Sequence, residues 1–176
     1  MQCFTTCDRS ARRSDLDFGY PVETATFESG ASASRIESVA ALVDEPLPLD
    51  YRYFLSQCAG FTGMDFQNGY VMHTPEEVVR VSRQADAPTR VTTAAGAVPV
   101  LPVGADRGGN LFLLSLRTPQ VVLRWDHETG ETRDAVPANR RRSRPTSGGF
   151  VSFLERIRED WSHFLGSDAA SWTYLT

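Results

Sequence analysis

Apolar residues recur at Ile36, Val39, Ala40 and Val43, the i, i+3, i+4, i+7 spacing of one helix face, and predict an amphipathic helix over 31–43. Ser32 or Ser34 can cap its start. Pro46 and Pro48 stop it. The stripe resumes at Tyr51, Phe54, Leu55 and Cys58, which predicts a second helix from Leu49, with Gly60 placed to end it in the left-handed conformation. Gly63, Asn68 and Gly69 mark turns around a short apolar piece, Tyr70-Val71-Met72. Thr74-Pro75-Glu76-Glu77 is a capping box with proline at the first helical position, and opens a helix to about Gln84 whose apolar face is Val78 and Val81.

The period then changes. Val98 to Val103 is apolar but holds Pro99 and Pro102, so it reads as an edge strand or a strand start. Asp106, Gly108, Gly109 and Asn110 form a dense turn signal. Residues 111–116 and 120–125 read as strands joined tightly through Thr118-Pro119, hence antiparallel. A turn at 127–130 and a short strand over 131–136 follow. Phe150, Phe153, Leu154, Ile157, Trp161, Phe164 and Leu165 share one face of a last helix that Gly166 ends. The expectation is α+β: a single domain with a central antiparallel sheet and helices packed mainly on one face. It spans residues 31–166, with a polar extension over 1–30, an Arg-rich loop at 139–149 and a tail at 167–176 carrying Trp172 and Tyr174.

Composition adds limits. At 176 residues, 41% hydrophobic and 23% charged, the chain can bury a core without a disulfide or metal staple, and collagen-like, coiled-coil and wholly disordered classes are excluded. No apolar run approaches a membrane span and the first residues do not resemble a signal peptide, so the expected location is the cytoplasm. Every basic residue is arginine. The net charge is −4, and would be −8 without the four positive charges of Arg140, Arg141, Arg142 and Arg144. Such a field does not attract nucleic acid but suits a basic protein. The arginine cluster has no aromatic residue between its members for base stacking, so it reads as a solvated loop. Cys3 and Cys7 lack further metal ligands nearby and read as free thiols; Cys58 reads as a small core residue.

Enzyme signatures are sparse. No Gly-x-Ser-x-Gly elbow and no phosphate-binding loop occur, and the cysteines do not fit a zinc deaminase. The suggestive cluster is Trp125-Asp126-His127-Glu128, where a histidine between carboxylates could serve as a base or a metal ligand. A second histidine at helical spacing is missing and Gly130 argues for a turn, so a structural role is favoured over a small metal-dependent hydrolase. His73 and His163 read as ordinary polar or half-buried histidines. No cofactor is implied.

Four segments in order resemble the SUKH superfamily, which includes the yeast Smi/Knr cell-wall regulators and many bacterial immunity proteins. They are Ile36-Glu37 followed by the run Leu47 to Leu55 with Gly60 after it; Pro102 to Leu114 as a glycine-rich hairpin; Val122 to Glu128 ending in Asp-His-Glu; and Gly149 to Leu154 opening the last helix. The resemblance covers about residues 34–165 and singles out Pro48, Tyr51, Phe54, Leu55, Gly60, Gly104, Gly109, Asn110, Trp125 and His127 as structural motif positions. It implies an α+β fold without catalysis. In bacteria it implies an immunity protein that binds a co-encoded toxin, often a basic nuclease; the alternative is a regulatory scaffold. Glu45, Asp50, Asp65, Asp126 and Glu128, on loops and helix ends, are the candidate contacts for such a partner.

Overall fold

The computed structural model of the chain describes residues 26–62, 70–93, 96–117, 120–135 and 149–166. In order these are β1 (Thr26–Ser29), α1 (Ala33–Ala40), α2 (Leu49–Gln57), β2 (Cys58–Thr62), β3 (Tyr70–Met72), α3 (Pro75–Ser82), β4 (Arg90–Thr93), β5 (Gly96–Asp106), β6 (Leu111–Ser115), β7 (Val122–Trp125), β8 (Thr132–Asp134) and α4 (Phe150–Gly166). The strands pair antiparallel in the order β1-β2-β3-β5-β6-β7-β8, with β4 also on β5. The α+β class read from the pattern is the one that forms.

Strand alternation divides the apolar residues between two faces. On one face Phe112, Leu114 and Val122 join Ile36 and Val39 of α1, Tyr51, Phe54 and Leu55 of α2, Val78 of α3, and Phe150, Phe153, Leu154 and Ile157 of α4 in the main core. Aromatic edges lock it: Phe150 meets Tyr51 at 5.0 Å and Phe54 at 5.2 Å between ring centroids, both T-shaped. The other face holds a smaller cluster of strand residues, Val91, Val100, Leu113 and Leu123. The helices thus pack mainly on one face, as expected.

Several local expectations are corrected. Residues 26–29, read as part of a polar extension, form β1; only Phe27 is half-buried, packed on Phe61 at 5.5 Å, and such a sparse edge strand has no period to read. Helix α1 stops at Ala40, and Val43 lies beyond it in a tightened turn closed by Leu42 N–H to Val39 O and Val43 N–H to Ala40 O. Cys58 is not on the α2 stripe: it begins β2, half-buried. Gly60 does not cap the helix. It lies inside β2, where an added Cβ would stand 2.7 Å from the Met72 carbonyl oxygen, so its missing side chain lets β2 close on the β3–α3 corner.

The proline-bearing run is not an edge. It belongs to β5, the longest strand, with β6 on one side and β3 and β4 sharing the other. Pro99 opposes the end of β6 and accepts from Leu116 N–H, so its missing donor forfeits one terminal bond. Pro102 falls in the gap between the β4-paired and β3-paired stretches, where no strand asks for its N–H. A one-residue bulge follows it, since Pro102 faces Leu113 and Gly104 faces Phe112. The capping box at Thr74 forms as read: its hydroxyl accepts from Glu77 N–H at 3.2 Å, and the Glu77 carboxylate accepts from Thr74 N–H at 3.0 Å. Expectations on Asp65, Thr118-Pro119, the arginine cluster, residues 1–25 and the tail lie outside the described residues.

Candidate functional site

The glycine-rich β5–β6 turn and the turn after β7 meet around Asp106. The Asp106 carboxylate accepts from Asn110 N–H at 2.9 Å and from Asn110 Nδ2 at 2.8 Å, and it pairs with Arg124 of β7 at 3.1 Å. A carboxylate only accepts, so the Asn110 amide turns its nitrogen to Asp106 and its Oδ1 to His127. That oxygen receives both the backbone N–H and Nδ1 of His127 at 3.3 Å, which puts the ring proton on Nδ1. Gly109, at φ +89°, lies under the His127 ring; a Cβ there would be 3.2 Å from Cε1. Asp106 and Asn110 are buried. Gly104, two residues before Asp106 on β5, passes close to the Val71 carbonyl.

The Asp-His-Glu segment is therefore a clasp between two turns. The Asp126 carboxylate accepts the N–H groups of Glu128 and Thr129, both at 3.0 Å, and these backbone donors, Thr129 foremost, hold it below the usual carboxylate range. Trp125 pairs with Leu111 and packs at the edge of the smaller cluster. Among the described residues no group of three His, Cys, Asp or Glu side chains is placed to hold a metal.

A second polar cluster stands on α4. Arg156 pairs with Asp160 at 2.6 Å one turn on, and the Tyr70 hydroxyl donates to Asp160 at 3.1 Å. Burial, then the Asp160 charge, pushes the Tyr70 phenol upward. His73 is buried; its Nδ1–H donates to Pro102 O at 3.1 Å and its backbone N–H to Val103 O at 3.0 Å, filling the gap between β3 and β4.

The proposed partner contacts that lie among the described residues do not converge. Glu45 binds Arg117 (2.9 and 3.0 Å), just past the C-terminal end of β6, whereas Asp126 and Glu128 follow Trp125 at the other end. A five-residue strand separates them, about 17 Å at ~3.4 Å per residue. Asp50 lies in the first turn of α2, accepting from Tyr51 N–H at 2.8 Å. Asp44 is exposed beside Glu45. The α1–α2 link and the β4–β5 pair border an open cleft of about 410 Å³, where the Ser82 hydroxyl oxygen is buried and unpartnered.

Sequence reasoning passed over Leu49 and Tyr53. They are the exposed large hydrophobics of the described chain, at 84% and 49% exposure, four residues apart on α2. The signal was available, since both lie on the opposite side of α2 from the buried stripe of Tyr51, Phe54 and Leu55.

No helix among the described residues is long and apolar enough to cross a membrane. No curated protein matches the chain. Residues 30–156 match the model of the SMI1 / KNR4 family (SUKH-1), in agreement with the resemblance carried by the four motifs.

Proposed function

Because the chain belongs to the SMI1/KNR4 family (SUKH-1), we propose that it is an immunity protein, a non-catalytic binder that neutralises a cognate toxin in the cytoplasm by forming a stoichiometric complex. Family membership over residues 30–156 carries this reading. It is supported by the commitment of the most enzyme-like residues to architecture: His127 clasps Asn110, and the Asp126 carboxylate is occupied by backbone N–H groups. A net charge of −4 suits a basic toxin such as a nuclease, whose phosphate-binding surface would attract carboxylates.

The test is protection. Basic C-terminal toxin domains encoded beside this protein are co-expressed with it, and survival and complex stoichiometry are measured. A 1:1 complex that abolishes toxicity is the expected result. A complex that leaves the toxin active, or binding to many proteins at comparable affinity, would replace immunity with the scaffold reading of the same family.

A further inference from the structure

We infer that the outer face of α2, built on Leu49 and Tyr53 and flanked along the chain by Asp44 and Asp50, is the surface that docks a basic protein bearing an apolar pocket. A lone exposed leucine means little on a soluble protein. Here the exposed large hydrophobics of the described chain coincide on one helix, one turn apart, so that they form a single ridge. Neither contributes to the core, which α2 serves with Tyr51, Phe54 and Leu55 from its other side. Tyrosine is among the residues enriched at binding hot spots, and the exposed leucine beside it adds apolar area that a partner can bury.

The charges choose the occupant. Asp44 and Glu45 precede the ridge and Asp50 lies within it. Arg52, the cation nearest in sequence, is already paired with Glu37, and Glu45 with Arg117, which leaves Asp44 and Asp50 as the charges a partner would meet. A two-fold contact between copies of this chain would bring together two faces of the same negative charge, whereas a basic partner gains from these carboxylates. The surface rests on exposure and charge; only the identification of its partner as a toxin rests on the proposed function.

The experiment places p-benzoylphenylalanine at position 53 of the full chain, and separately at position 128 in the turn beyond β7, in the protein's own host. Crosslinked peptides are identified by mass spectrometry, and the partner so found is purified for affinity measurements. The expected result is a basic protein joined through position 53 and not through 128. Leu49→Asp should then weaken its binding at least about 30-fold with the melting temperature unchanged, and Glu128→Arg should leave affinity within about twofold. Crosslinking through 128 alone, no crosslinked protein at either position, or a Leu49→Asp variant of native affinity would overturn the inference. Crosslinking of position 53 to a second copy of this chain would also overturn it, making α2 a self-association face. A basic partner at position 53 that is not a toxin would keep the surface and discard the immunity reading.

Discussion

At the scale of single residues, two buried groups have measurable consequences. The Tyr51 ring is fully buried against Phe54 and Phe150, but its hydroxyl is buried with no hydrogen-bond partner among the described residues. Burial alone pushes that phenol up. Removing an unsatisfied hydroxyl while keeping the ring should stabilise the fold by about 1 kcal/mol, so Tyr51→Phe is expected to raise the denaturation midpoint. A lowered midpoint would mean that the hydroxyl has a partner, such as an ordered water. His73 sets a pH dependence. Burial lowers its pKa below 6.5, outweighing the Pro102 carbonyl and Glu77, which favour the charged form; Arg80 adds to the lowering. The unfolded chain takes up a proton near 6.5 while the folded chain resists it, so stability is full above that pH and declines as the pH falls toward the folded value. His73→Asn, which offers an amide N–H in place of Nδ1–H, should flatten the stability curve between about pH 7 and 5.5. Glu76, which Arg35 holds down to about 2, contributes only below its usual 4.5 and leaves that window clear. Parallel curves for the two proteins would refute the assignment.

At the scale of elements, what was legible depended on whether the cause was local. The Thr74 box involves atoms three residues apart, and it forms as its four letters say. The α4 face follows from period alone: Phe150, Phe153, Leu154 and Ile157 are all in the core. The reason for Gly60 is not local. A glycine after a helical stripe reads as a left-handed cap, whereas here α2 passes directly into β2 and the glycine answers to the backbone of Met72 and Thr74 across the sheet. The two explanations predict different effects. A left-handed cap would tolerate Asn, but a backbone approach of 2.7 Å tolerates no Cβ at all. Gly60→Ala and Gly60→Asn are both expected to destabilise by more than about 2 kcal/mol in chemical denaturation. An Asn variant near native stability would restore the capping explanation. The prolines of β5 likewise answer to neighbours rather than to local sequence: Pro102 sits where β5 changes partner from β4 to β3, and Pro99 at the end of its pairing with β6.

At the scale of the whole molecule, distance decides what a sequence can disclose and how a partner is met. Tyr70 and Asp160 are ninety positions apart and become hydrogen-bonded only once α4 lies on the sheet, so no spacing rule could join them. Loops and helix ends single out the candidate carboxylates one by one, but the fold separates Glu45 from Glu128 by the length of β6. Leu49 stands off the buried stripe of α2, and an apolar residue left in solvent has no partner in the sequence to reveal it. The α2 surface combines both kinds of group, and they act over different ranges. Carboxylates act over a Debye length of roughly 10 Å at 0.1 M salt, before contact, whereas an apolar side chain acts only once water has been expelled. Neutralising the rim with Asp44→Asn and Asp50→Asn should therefore slow association with the basic partner and flatten its salt dependence, leaving dissociation nearly unchanged. Leu49→Ala, which alters no charge, should speed dissociation at least about tenfold while association stays within about twofold. Stopped-flow association at two ionic strengths, with dissociation by competition, separates the two. If the charge variants changed only dissociation, or the salt dependence survived their neutralisation, the carboxylates would not be steering the encounter and the α2 face would have to bind by its apolar ridge alone.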